Sequence, residues 1–231
     1  MKYFTTVFLF IITSLTAVSQ TYEVGAMVGG FNYIGDVGKT NFISPNTLAY
    51  GAVVKWNRSP RHAFRASILT GSIIGDDAQS NESRRRERGY AFENKITEFS
   101  VGIEYTFWEY NIYNGRNVST PYLYTGVSYF LYKASYFRKA DKFFRDYDQA
   151  GSVAIPIILG YKVKVSSSMA LALEIGARYT FTDDIDGSNP VGSLADTESL
   201  KFGNVNNNDW YVFTGLNLSF TFGRKPCYCN F

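Results

Sequence analysis

Charge is scarce in this chain. Asp, Glu, Lys and Arg make up 19% of its 231 residues, against roughly 25% in an ordinary soluble domain. The formal net charge is only +3 and no helical run of basic residues accompanies it, so nucleic acid is not an expected partner. Histidine occurs once, as His62, and cysteine twice, as Cys227 and Cys229. That inventory does not assemble a nucleophile with a histidine and an acid partner, so hydrolytic or acyl-transfer catalysis is not expected. Two cysteines alone do not make a zinc site. No cofactor, metal or small-molecule substrate is expected. After the first twenty residues no apolar run approaches the ~20 residues of a membrane-spanning helix.

The first twenty residues read as a targeting segment. Lys2 supplies a positive charge, Val7 to Leu15 is mostly apolar, and Ala17-Val18-Ser19-Gln20 is a small-residue exit. This is the pattern of a signal peptide over residues 1–20, cleaved near Ser19 or Gln20. No cysteine follows the apolar run, which argues against a lipoprotein. The mature chain is then either exported and soluble or a membrane barrel.

What the chain has in abundance is aromatic residues, 17%, and glycine, 20 residues. From Thr214 to Gly223 the sequence alternates strictly. Leu216, Leu218, Phe220 and Phe222 share one parity; Gly215, Asn217, Ser219 and Thr221 share the other. Period-two alternation marks a strand with one apolar and one polar face. A glycine followed at plus three and plus five by large apolar residues recurs at Gly102, Gly126, Gly160 and Gly176. Strands are expected at about 22–31, 48–56, 64–74, 95–108, 121–134, 153–165, 169–181 and 209–222. Strand five is aromatic on both faces, with Tyr122, Tyr124, Phe130 and Tyr132 against Tyr129. Long connections are expected after strands one, three, five and seven, including loops over 75–94, 135–152 and 182–208, and short ones between. Eight strands with loops sorted in this way predict an all-β, up-and-down antiparallel outer-membrane β-barrel over residues 21–223, with long extracellular loops and a periplasmic tail over 224–231. Pro156 lacks a ladder donor, so a bulge or strand start is expected there.

The ionisable residues of the strands carry the parity of the glycines: Glu23, Lys55, Arg65, Glu98, Glu104, Lys162, Lys164, Glu174 and Arg178. In a barrel this is the inward face, because a basic residue facing lipid at mid-bilayer costs about 2–4 kcal/mol. Aromatic residues at the strand ends of the apolar face (Trp56, Tyr105, Phe107, Tyr179, Phe181, Phe220, Phe222) suit a girdle at the membrane interface. Five bases and four acids in a lumen too narrow for a channel would pair. A narrow pore is therefore disfavoured, and outer-membrane lipid is the partner of the outer face.

Other candidates carry less. Asp183-Asp184-Ile185-Asp186-Gly187-Ser188-Asn189 is oxygen-rich but lacks the spacing and terminal Glu of a calcium loop. A solvated loop is the preferred reading. Arg84-Arg85-Arg86-Glu87-Arg88 reads as a solvated charge run or a contact to surface-lipid phosphates. Cys227 and Cys229 have four readings: a local disulfide, a bridge to a partner, a metal half-site, or a frayed tail.

Several stretches taken together carry a resemblance. They are Tyr33-Ile34-Gly35-Asp36-Val37-Gly38, Lys55 through His62, Arg178 through Gly187, and Asn208-Asp209-Trp210-Tyr211-Val212-Phe213 running into Lys225-Pro226-Cys227-Tyr228-Cys229. Across nearly its whole mature length the chain resembles the PorG-like outer-membrane proteins of Bacteroidetes. The resemblance implies an accessory or anchoring subunit of the type IX secretion system, contacting a periplasmic ring of PorK- and PorN-like proteins. The surfaces then available to a periplasmic partner are the turns 57–62, 110–120 and 166–168 and the tail, with Arg58, Arg61, His62, Cys227 and Cys229 as contact candidates. The alternative function is a small surface barrel that binds a host molecule or lipid through its long loops. The last strand, with its alternating aromatic end, resembles the signal read by the barrel-assembly machinery.

Overall fold

The computed structural model describes residues 21–113, 118–138, 143–204 and 206–223. The predicted signal peptide, the tail over 224–231 and both cysteines lie outside the described residues. Eight antiparallel strands form one closed barrel in chain order: β1 Thr21–Ile34, β2 Thr47–Asn57, β3 His62–Asp76, β4 Ala91–Thr106, β5 Ser119–Arg138, β6 Phe143–Lys164, β7 Met169–Thr180 and β8 Trp210–Gly223. β1 closes on β8 through a continuous ladder from Thr21↔Gly223 to Ile34↔Trp210. The up-and-down eight-stranded barrel expected from the alternation is thus observed.

The parity assignment holds around the wall. Leu48, Tyr50, Val54 and Trp56 of β2 point outward, as do Phe99, Val101 and Ile103 of β4 and Leu216 to Phe222 of β8 at every second position. Leu48 and Val101 are 68% and 62% exposed. An apolar surface that runs around a whole barrel is far larger than water tolerates. It requires lipid, and a closed barrel is the sheet that lipid accepts, since it leaves no unpaired edge. Aromatic residues ring the terminal end (Trp56 on Phe64, Tyr22 on Phe222) and recur at the opposite end (Tyr179 against Phe181 and Trp210). By the rule for outer-membrane barrels, the end holding both described chain termini is periplasmic.

The connections depart from expectation in two places. The residues expected as a loop over 135–152 are mostly strand: β5 and β6 continue past the barrel wall as a hairpin. Its register shifts between Ala134 and Ser135. The loop expected over 75–94 shrinks to 77–90, because β3 runs to Asp76 and β4 begins at Ala91; the loop contains the short helix α1, Ser83–Arg88. Alternation in that region is masked by glycine and polar residues, although Ile73, Gly75 and Phe92 still point inward. Pro156 produces neither a bulge nor a strand start. It is buried inside β6 opposite Arg178 of β7. On the β5 side the ladder lapses between Thr125↔Ile157 and Ser128↔Ala154 without changing register, which is the local cost of the missing N–H.

The interior has two layers, where a single charged lumen was expected. Toward the periplasm it is charged. Toward the outside it is a packed aromatic core of Phe31, Phe130, Tyr211 and Phe213, extended by Phe92 and Tyr33. Below the charged layer, Tyr110 and Ile112 of the turn after β4 fold into the periplasmic mouth against Ala170. A small cavity beside them, bounded by Glu23 and Asn57, holds about 20 Å³, room for about one water.

Candidate functional sites of the lumen and the two rims

Glu104 is the hub of the charged layer. Lys55 Nζ lies 2.7 Å and Lys162 Nζ 2.8 Å from its carboxylate, and Arg65 Nη1 lies 3.8 Å away. Arg65 faces Glu174 with a two-pronged contact, both nitrogens at 2.9 Å. Tyr122 and Asn217 also donate to Glu174, at 2.6 and 3.1 Å. Higher in the barrel, Arg178 pairs with Glu98 at 3.0 Å, and Tyr211 donates to Glu98 at 2.6 Å. Glu23 is held by neutral donors, Asn57 at 2.8 Å and Ser219 at 3.0 Å. These eight residues are fully buried, four acids with four bases. Lys164, also expected in the network, is half-buried at the periplasmic end of β6, so the buried layer is balanced in sign. Alternation on six strands places the charges. The neutral donors Tyr122, Tyr211, Asn217 and Ser219 were missed as members, because in sequence they read as ordinary lumen residues.

At the periplasmic rim, the turn between β2 and β3 presents Arg58, Arg61 and His62, all exposed. Arg61 approaches Glu109 at 3.5 Å across to the next turn. His62 Nδ1 lies 3.2 Å from Ser59 Oγ, and its ring rests 5.2 Å from that of Tyr105. The structure therefore brings together three of the five predicted partner-contact residues on one turn.

The outer rim departs most from expectation. The segment expected as a solvated loop is buried: Asp184, Ile185, Asp186 and Ser188 have no exposed surface. Ile185 packs into the aromatic core. Tyr33 donates to Asp209 and Tyr132 donates to Asp184. A Cβ on Gly35 would collide with the Tyr33 hydroxyl and the Asp209 carboxylate, so any larger residue there must displace this hydrogen-bonded pair. Among the described residues no group of three metal-ligating side chains converges on one point. Burial, reinforced by Asp186 and Asp36, raises the Asp183 carboxyl to about 7. Burial also raises Asp184 and Asp186, and burial together with Asp186 raises Asp209 well above the usual carboxylate range.

Two arginines of the run at 84–88 are likewise anchored. Arg88 pairs with Asp77 at 2.8 Å and donates to Asp36 O at 2.6 Å. Arg85 donates to Gly35 O and Gly38 O at 2.8 and 3.2 Å. They staple the loop after β3 to the loop after β1. Three of the four stretches that carry the family resemblance meet at this rim: Asp36 from the first, Tyr179 and Asp183 from the third, and Asp209 and Trp210 from the fourth. They border one open cavity of about 390 Å³.

A family model described as a domain of unknown function, DUF6089, matches residues 1–231. The chain belongs to the DUF6089 family. None of the curated proteins matches this DUF6089 sequence. Among solved structures, Ail, the attachment invasion locus protein of Yersinia pestis, aligns at 8% identity and a TM-score of 0.46, covering 89% of this chain and 100% of its own. The N-terminal β-barrel domain of Pseudomonas aeruginosa OprF aligns at 10% and 0.44, covering 88% and 98%. Neisserial surface protein A aligns at 12% and 0.42, covering 88% and 95%. The barrel assignment of the DUF6089 chain stands on its own ladder registers and lipid-facing surface.

Proposed function

We propose that the protein is a non-enzymatic outer-membrane anchor, an accessory subunit of the type IX secretion system that contacts the periplasmic ring of PorK- and PorN-like proteins. The carrying observation is that the described lumen is packed from one end to the other. Its charges are paired, its outer half is an aromatic core, and Tyr110 and Ile112 fill its periplasmic mouth. A barrel of this kind offers fixed position rather than passage. Its periplasmic rim presents Arg58 and Arg61 as exposed cations on a short turn held in shape by Ser59, a rigid surface for an acidic patch on a partner. The secretion-system reading draws its support from the sequence resemblance. A deletion strain tests it. Loss of type IX export, restored by the native gene and not by an Arg58→Glu/Arg61→Glu variant that still inserts, is the expected result. Normal export in the deletion strain overturns it. Photocrosslinking from position 58 or 61 to the ring proteins gives the direct contact.

A further inference from the structure

The outer cavity has a chemistry of its own. It sits where β7, β8 and β1 end, with Tyr179 and Trp210 on the outward-facing parity of their strands. Those two rings meet edge to face at 4.9 Å and form a fixed aromatic wall. That wall continues the girdle that includes Phe181, so the cavity opens at the level of the outer-leaflet headgroups. Its polar lining is rich in acceptors. Asp36 is set in place by the Asn204 amide at 2.8 Å. Asp183 borders the cavity from beneath: it is nine-tenths buried, and its Oδ2, which accepts no hydrogen bond among the described residues, is covered. Asn208 spends its Nδ2 on the Tyr179 hydroxyl at 3.0 Å, so its own acceptor oxygen is not used in that bond. Arg85, the one cation of the lining, is already committed to two backbone carbonyls.

Each feature removes a class of ligand. Asp36 is the acid with open surface in the lining and the one cation, Arg85, is already taken by backbone carbonyls, so nothing there recruits a phosphate or sulfate. The acids do not converge on one point, so a metal ion does not fit either. The volume, about 390 Å³, lies in the small-molecule range. What remains is a ligand that donates several hydrogen bonds from a ring and shows one C–H face to an aromatic wall. We propose that this cavity binds a neutral or amino sugar ring, free or as the headgroup of an outer-leaflet glycolipid. Hydroxyls of the ring would donate to Asp36 and Asn208 while its apolar face lies on Trp210. The proposal concerns the outer face and does not rest on the secretion-system reading.

Titration calorimetry on the full chain in detergent, with glucose, glucosamine and glucose 6-phosphate, tests the chemistry. Glucosamine and glucose are expected to bind saturably, with glucose 6-phosphate at least about tenfold weaker. A Trp56→Phe/Trp108→Phe background leaves Trp210 as the reporter, whose fluorescence should move with the same saturation. Asp36→Asn should weaken binding about tenfold or more. Asn207→Ala, on the exposed lip, provides a second variant if Asp36→Asn does not fold, and should weaken it several-fold. A parallel series with a glucosyl diacylglycerol in phosphatidylethanolamine vesicles separates the sources. Binding only in vesicles assigns a glycolipid headgroup; binding of the free sugars assigns a soluble glycan. No saturable signal from any sugar in either format, preference for the phosphorylated sugar, or binding unchanged in the folded cavity variants overturns the proposal.

Discussion

Replacing Glu104 by Gln removes the negative charge that three buried cations share. Lys55 and Lys162 lie 2.7 and 2.8 Å from it, and all three side chains are almost wholly inaccessible. At those distances and an effective dielectric of about 20, each contact is about 6 kcal/mol of direct attraction. Most of that offsets the cost of taking the charges out of water. Removing one partner leaves the others buried and unpaired, which costs about 3–5 kcal/mol. Glu174 does not compensate, because Arg65, Tyr122 and Asn217 already occupy it. Urea unfolding in phospholipid vesicles, followed by gel migration of folded and unfolded forms, measures the loss. Lys55→Met in the Glu104→Gln background removes one orphaned cation and should recover a substantial part of it. Equal unfolding midpoints for native protein and Glu104→Gln would refute the reasoning. So would a double variant that loses the sum of the two single losses, since coupled charges are not additive.

Reconstituted in planar bilayers, the protein should show no sustained ion conductance; stable single-channel steps would mean that the lumen opens. Gly102 and Gly126 face each other across β4 and β5, and a Cβ on Gly102 would sit 2.2 Å from the Thr125 carbonyl. Gly102→Val should therefore destabilise the barrel by about 3 kcal/mol or more, read in the same urea titration. The outer rim should loosen as pH rises. Asp183 titrates at about 7 when folded, and burial raises Asp184, Asp186 and Asp209 as well, whereas an unfolded aspartate titrates at about 3.9. The folded segment holds protons that the exposed one releases, so its packing is strongest below about pH 4 and declines as pH climbs through 7. Hydrogen exchange over 183–188, corrected for its intrinsic pH dependence, should show less protection at pH 8 than at pH 5, and Asp183→Asn should flatten the difference. Equal protection at both pH values would sink this account.

The legible parts of the fold share one physical origin. Alternation along β2, β4 and β8 is visible because one face must satisfy lipid and the other a crowded lumen, so Leu48 to Trp56 and Leu216 to Phe222 announce their side. The same rule finds eight members of the charged layer before any partner is known. It fails where neither face touches lipid. The β5–β6 hairpin beyond Ala134 is exposed on much of its surface, and its polar and aromatic residues read as a loop. It fails too for Asp183 to Ser188, whose composition is that of a solvated turn. Burial there comes from Ile185 entering the aromatic core and from Tyr33 and Tyr132 donating to Asp209 and Asp184, partners far away in the chain.

By itself the sequence determined the barrel, its strand count, which face meets lipid and the sign of the charges within. These follow from the pleat, whose period of two turns local composition into direction. Only the tertiary structure decided which charges pair, that the outer half of the lumen is aromatic rather than ionic, and that Asp36, Asp183, Tyr179 and Trp210 border one cavity. Those outcomes depend on ladder register and loop packing, which bring together residues more than a hundred positions apart and leave no periodic trace in the chain.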